Sequence, residues 1–158
     1  TEYFNTALGE INPYFDKLVR DIRSRFGATL ITTKETIPTI LKNNADNNLS
    51  VYGFASDQSP KLESAFHWTK FMNIEVPVHT GAEMLAKRYD MNVVFLKVKK
   101  VKRGYYEARF ELLAENPKEV PNYEITDEFI RRVEKQIYEA PEFYLWTHKR
   151  WKHKKTLA

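Results

Sequence analysis

The chain has 158 residues, 42% of them apolar and 14% aromatic, with a net charge of +4 and no Cys. That length and composition suit one packed globular domain over 1–158 and exclude an intrinsically disordered chain. Without Cys there are no disulfides or thiolate metal sites, and no apolar run approaches the roughly 20 residues that span a bilayer.

In chain order, residues 1–11 read as extended or loose. Asn12-Pro13 opens a helix, because Asn caps free N–H groups and Pro at the first helical position loses no bond. Phe15, Leu18, Val19, Ile22 and Phe26 share one face at helical spacing, and Gly27 stops the run. On that wheel Arg23 and Arg25 flank the apolar stripe, roughly 80° either side of its centre. Residues 28–32 predict a short strand, and 36–45 a second helix with Pro38 in its first turn. Residues 49–55 predict a buried strand, followed by Ser56-Asp57-Gln58-Ser59-Pro60. The stretch 61–78 reads as an irregular loop rich in aromatics: Phe66, His67, Trp68 and Phe71. Thr80-Gly81 opens a helix that buries Ala82, Leu85, Ala86 and Tyr89. Residues 92–101 and 105–113 predict a hairpin about Arg103-Gly104. Thr126 is expected to cap a last helix with Phe129, Ile130, Val133, Ile137 and Tyr138 inward. Interleaved strands and helices make this an α/β fold, a layered mixed sheet flanked by helices.

No cofactor and no metal are expected. The five glycines stand singly and form no phosphate-cradling loop, the four His make no ligand pattern, and no Gly-x-Ser-x-Gly elbow occurs. Two basic blocks instead call for an anionic partner: Lys97, Lys99, Lys100, Lys102 and Arg103, and the tail 141–158. Within that tail, Pro141-Glu142-Phe143-Tyr144-Leu145-Trp146-Thr147-His148-Lys149-Arg150-Trp151-Lys152 joins aromatics to cations. Trp and Tyr favour the boundary between hydrocarbon and head groups, and cations favour an anionic leaflet. Trp146, Lys149, Arg150, Trp151 and Lys152 are therefore expected to meet a membrane surface.

This segment resembles the ending Pro-Glu-x-Tyr-x-Trp-x-His-x-Arg-aromatic-Lys of the late acyltransferases of lipid A biosynthesis, within the lysophospholipid acyltransferase superfamily. Three further blocks are similar to that family's. They are Arg23-Ser24-Arg25-Phe26-Gly27 after Asn12-Pro13, Asp57-Gln58 after an apolar strand, and Thr80-Gly81-Ala82-Glu83-Met84-Leu85-Ala86. The resemblance implies a partial lysophospholipid-acyltransferase-like fold and transfer of a fatty acyl group from an acyl carrier protein or coenzyme A thioester to a hydroxyl of a glycolipid such as a lipid A precursor. It implies that Arg23 and Arg25 bind substrate phosphate, as planar guanidinium does bidentately, and that Asp57 and Gln58 line the site. The loop around Phe66, Trp68 and Phe71 is a candidate for contacting the acyl chain.

The family's catalytic His-x-x-x-x-Asp/Glu is missing. The fifth residue on is Met72 from His67, Met84 from His79, His153 from His148 and Ala158 from His153, none of them an acid. In relatives that motif precedes the Arg-x-Arg-x-Gly block, so the resemblance places the general-base His upstream of Thr1. The expectation is therefore a truncated acyltransferase, with no catalytic residue in this chain and no activity by itself. Its parent would work at the cytoplasmic face of the bacterial inner membrane, while the fragment is soluble. An uncovered sheet edge would favour a fragment dimer. No nucleic acid partner is expected under this reading. The alternative is a non-catalytic basic and aromatic module that binds anionic lipid or nucleic acid.

Overall fold

A computed structural model describes residues 13–154 and, as main chain only, residues 2–5. Thr1, ahead of which the general-base His is expected, lies outside the described residues. The chain forms two compact units, 1–55 and 56–158. The class is α/β, with its strands in three small sheets among the described residues.

In the first unit, β1 (Glu2–Asn5), β2 (Thr29–Ile31) and β3 (Val51–Phe54) form a parallel sheet in the order β2-β1-β3. Parallel neighbours need crossovers, supplied by α1 (Pro13–Ser24) and α2 (Thr33–Ala45). The expected Asn12 cap lies outside the described residues, but Pro13 is the first helical residue. Gly27, at φ 86°, closes the far end by returning its N–H to the Ser24 carbonyl at 2.9 Å. The expected inward face of α1 is not buried. None of the helix's residues is, and Phe26 beyond it is 92% exposed. Helix α2 starts at Thr33 rather than Thr36, because the Glu35 carboxylate accepts both the N–H and the hydroxyl of Thr32, each at 2.7 Å. Asn43 ties α2 to the strand that follows, donating to Tyr52 Oη at 2.8 Å and to Ser50 Oγ at 3.1 Å.

In the second unit, the stretch expected to be an irregular loop is a hairpin, β4 (His67–Phe71) and β5 (Ile74–Val78). Its two-residue turn, Met72-Asn73, has φ values of 50° and 61°, as a type I′ turn requires. The turn lacks the usual Asn-Gly, and Pro77 within β5 argues against a strand locally. Helix α4 (Glu124–Glu139) holds the hairpin at both ends. Its Asp127 takes the His67 Nε2 at 2.8 Å, and its Glu134 accepts the Met72 N–H at 3.0 Å. Phe71, Val76, Val78, Ile130 and Ile137 form the buried centre. Phe71 is thus core rather than an acyl-chain contact, while Phe66 is exposed.

Helix α3 (Gly81–Tyr89) buries Glu83 and Ala86. Glu83 accepts the N–H groups of Tyr123 and Thr126 at 2.7 and 2.9 Å and the Thr126 hydroxyl at 2.6 Å. The N-terminus of α4 is therefore capped by a carboxylate from another helix. Thr126 is not the cap; it lies inside the first turn. Tyr138, expected inward on α4, is exposed. The expected hairpin is present as β6 (Val93–Lys102) and β7 (Tyr105–Ala114), turning at Gly104 with φ 79°.

Candidate functional site

Beyond β3 the chain enters the polar loop Ser56–Pro60, which is joined to the C-terminal motif through Ser59. The Ser59 N–H donates to His148 Nε2 at 3.2 Å, across 89 residues of sequence. Its hydroxyl donates to the Arg150 carbonyl at 2.7 Å. Arg150 Nη1 in turn donates to Ser59 Oγ at 3.3 Å and to the Pro77 carbonyl at 3.1 Å. The segment that presents these groups is a run of short turns, with His148 N–H on the Leu145 carbonyl and Arg150 N–H on the His148 carbonyl. Aromatic packing anchors it: the Trp151 ring lies 5.7 Å from Phe71, and Tyr144 lies 6.3 Å from the same ring.

Arg150 is 0% exposed, its guanidinium 5.1 Å from the centre of the Phe71 ring, so it is not a membrane-facing cation. Among the described residues its Nε and Nη2 have no hydrogen-bond partner. Burial lowers its proton affinity, while Tyr144 and Asp57 oppose that change. A guanidinium still keeps its charge there. Trp151 is half-buried against Phe71, which withdraws much of its ring from any surface contact. Trp146, Lys149 and Lys152 remain exposed.

Asp57 acts electrostatically on four groups around this clamp: His79, Tyr144, His148 and Arg150. Burial raises the Tyr144 pKa, assisted by Asp57 and opposed by Arg150. His79 is exposed by surface area yet crowded on one side. Burial lowers its pKa, followed by the Arg150 charge, and Asp57 opposes both. His148 is lowered by burial first, then by Lys152 and Arg150. Because the Ser59 N–H can only donate, His148 Nε2 must offer its lone pair, and the imidazole is neutral with its proton on Nδ1.

A neutral His148 ties stability to acidity. A His whose folded pKa lies below its unfolded value of 6.5 binds more protons when unfolded. Its contribution is complete above pH 6.5 and is lost as pH falls from there towards the folded value. Stability should fall on acidification through the window between 6.5 and the carboxylates' 4.5. His148→Gln should flatten that slope, as checked by urea midpoints across the window. An unchanged slope would contradict the neutral imidazole.

The phosphate-binding candidates stand apart from this clamp in sequence. Arg23 is exposed in the last turn of α1. Arg25 lies one residue beyond the helix end, so the helical wheel does not place it, and its guanidinium sits 5.8 Å from the Phe26 ring centre. Both belong to the first unit, whereas Asp57, half-buried, and Gln58, exposed, belong to the second. Sequence reasoning does not find His148, His79 or Tyr144 as parts of the Asp57 environment. For two of them a signal existed in the regular spacing of the C-terminal motif. Elsewhere a His–carboxylate pair, His67–Asp127, has its His ring stacked 4.4 Å from Tyr123, which makes it a clamp between β4 and α4.

The described residues thus define an α/β protein in which a C-terminal aromatic and basic motif is locked to a polar loop some ninety residues earlier. The chain matches the family of bacterial lipid A biosynthesis acyltransferases over residues 5–153, nearly its whole length, and it belongs to that family. No curated protein matches it. None of the described helices is long and apolar enough to cross a membrane.

Proposed function

We propose that this chain serves the transfer of a fatty acyl group from an acyl carrier protein or coenzyme A thioester to a hydroxyl of a lipid A precursor or related glycolipid, at the cytoplasmic face of a bacterial inner membrane. The observation that carries this reading is the clamp at Ser59, which joins the loop carrying Asp57-Gln58 to the C-terminal motif, two of the blocks that resemble the family's. In this reading Asp57 and Gln58 line the reaction site, held in place by His148 and Arg150. Arg23 and Arg25 bind phosphate on the acceptor or donor, and Trp146, Lys149 and Lys152 rest at the membrane. Acyl transfer to an alcohol needs a base near neutrality to take the hydroxyl proton. No His of these 158 residues has an acid five positions on, and the reading assigns that base to a His upstream of Thr1.

The expected result is binding without turnover. The 158-residue polypeptide, given a labelled acyl thioester and a phosphorylated glycolipid, should retain the glycolipid and form no acylated product. Arg23→Ala with Arg25→Ala should weaken retention roughly tenfold or more, since hydrogen bonds to charged groups contribute about 1.5–3 kcal/mol. Product formation would mean that one of the four His serves as the base outside the family's spacing. Retention indifferent to both Arg substitutions would remove their role.

A further inference from the structure

The hairpin of β6 and β7 has one covered face and one open face. Register pairs Val94 with Leu112, Leu96 with Phe110 and Val98 with Ala108, so these six side chains share a face. The opposite face meets α4: Phe95 packs edge-on to Phe129 at 5.8 Å, Lys97 pairs with Glu139 at 2.7 Å, and Glu111 with Arg132 at 2.9 Å. An antiparallel sheet with one face on its core normally turns polar residues to water on the other. Here the open face is aliphatic and aromatic, with Leu96 46% and Phe110 67% exposed. At its turn end stand Lys100, Lys102 and Arg103 beside Tyr105 and Tyr106, all exposed. Among the described residues none of these three cations has a carboxylate at ion-pair distance. Lys102 Nζ lies over the Tyr105 ring at 4.3 Å, and Lys100 Nζ lies 5.5 Å from the Phe143 ring.

We propose that this open face and its basic turn dock on an anionic lipid surface. Val94, Leu96, Val98, Phe110 and Leu112 enter the boundary between head groups and hydrocarbon, and Tyr105 and Tyr106 sit at head-group level. Lys100, Lys102 and Arg103 lie on lipid phosphates. An apolar stripe ending in tyrosines and unpaired cations has the chemistry of that interface. An acidic protein or a nucleic acid would satisfy the cations and leave the stripe wet. A second copy would cover the stripe but bring no anion to the turn, because the face carries no carboxylate. The inference does not depend on acyl transfer, since lipid binding is read without turnover.

The test is co-sedimentation of the full 158-residue chain with vesicles of phosphatidylcholine alone and with phosphatidylglycerol added. The wild type is expected on the anionic vesicles, with binding reduced by salt. Replacing Lys100, Lys102 and Arg103 with Gln should weaken partitioning on the order of a hundredfold, about fivefold for each cation removed. Leu96→Ser with Phe110→Ser should abolish it at any salt. A Phe110→Trp variant gives a readout that does not rely on loss of binding. Its added fluorescence should be quenched by phosphatidylcholine carrying brominated acyl chains in mixed anionic vesicles. Absence of binding to anionic vesicles, or unchanged binding with unquenched Phe110→Trp, overturns the proposal. So does a result in which the apolar substitutions alter only the sedimentation coefficient, which would identify a second copy as the occupant.

Discussion

Arg150→Ala is expected to lower the stability of the second unit by about 3 kcal/mol or more. Truncating a large buried side chain leaves a cavity, which costs roughly 2–5 kcal/mol in a core. The Pro77 carbonyl also loses its guanidinium donor, and a buried polar group left unpaired costs about 1–3 kcal/mol. One effect runs the other way. The native guanidinium is wholly buried with Nε and Nη2 unpartnered among the described residues, so removing it relieves a desolvated charge. Arg150→Met separates the contributions, because it keeps most of the volume and deletes those donors. Its loss should be smaller than that of Arg150→Ala, about 1–2 kcal/mol, because no large cavity forms and the buried charge is relieved while the Pro77 carbonyl still loses its donor. Arg150→Lys should fall between the two, since an ammonium cannot reproduce the fork that reaches Ser59 and Pro77 together. All three Trp, at 68, 146 and 151, lie in the second unit, so their fluorescence in urea reports on that unit alone. An Arg150→Ala midpoint within error of wild type would show that the tail is an appendage rather than part of the core.

Glu83→Ala should be as damaging, about 3–5 kcal/mol, because it strips a buried carboxylate from three donors and from Lys87 at once. Lys87 would keep the Val120 carbonyl at 2.7 Å and Asn122 Oδ1 at 3.0 Å but lose its counter-charge. The Tyr123 and Thr126 N–H groups sit at the start of α4, where a negative charge also favours the helix dipole. Glu83→Gln retains an acceptor oxygen and should lose roughly 1–2 kcal/mol. Amide hydrogen exchange gives the sharper reading: the Thr126 N–H should lose protection in Glu83→Ala far beyond the change in global stability. Equal protection in both proteins would mean that the helix end is satisfied some other way.

Neither role is legible in the residues' immediate neighbours. Arg150 stands in a run of cations, and beside Lys149 and Lys152 it reads as another solvated charge. What buries it is the meeting of residues 59, 71, 77 and 150, three of them in parts of the chain far from the tail. Glu83 sits in an amphipathic helix at a position that looks exposed between Ala82 and Met84, and its partners are about forty residues away. The β4–β5 hairpin is hidden for a local reason: Met72-Asn73 and Pro77 do not advertise the turn and strand they occupy.

The sequence by itself determined the α/β class, the positions of the four helices and the long hairpin, and the family blocks. Period and punctuation are local, and a few residues such as Gly27 and Gly104 suffice to state them. Only the tertiary structure decided which faces are covered. It left the stripe of α1 and the outer face of β6–β7 open, drew Arg150 into the core, and brought the C-terminal motif to the Asp57 loop. Burial and pairing belong to surfaces that meet across long sequence separations, and no short window of residues encodes which surfaces those will be.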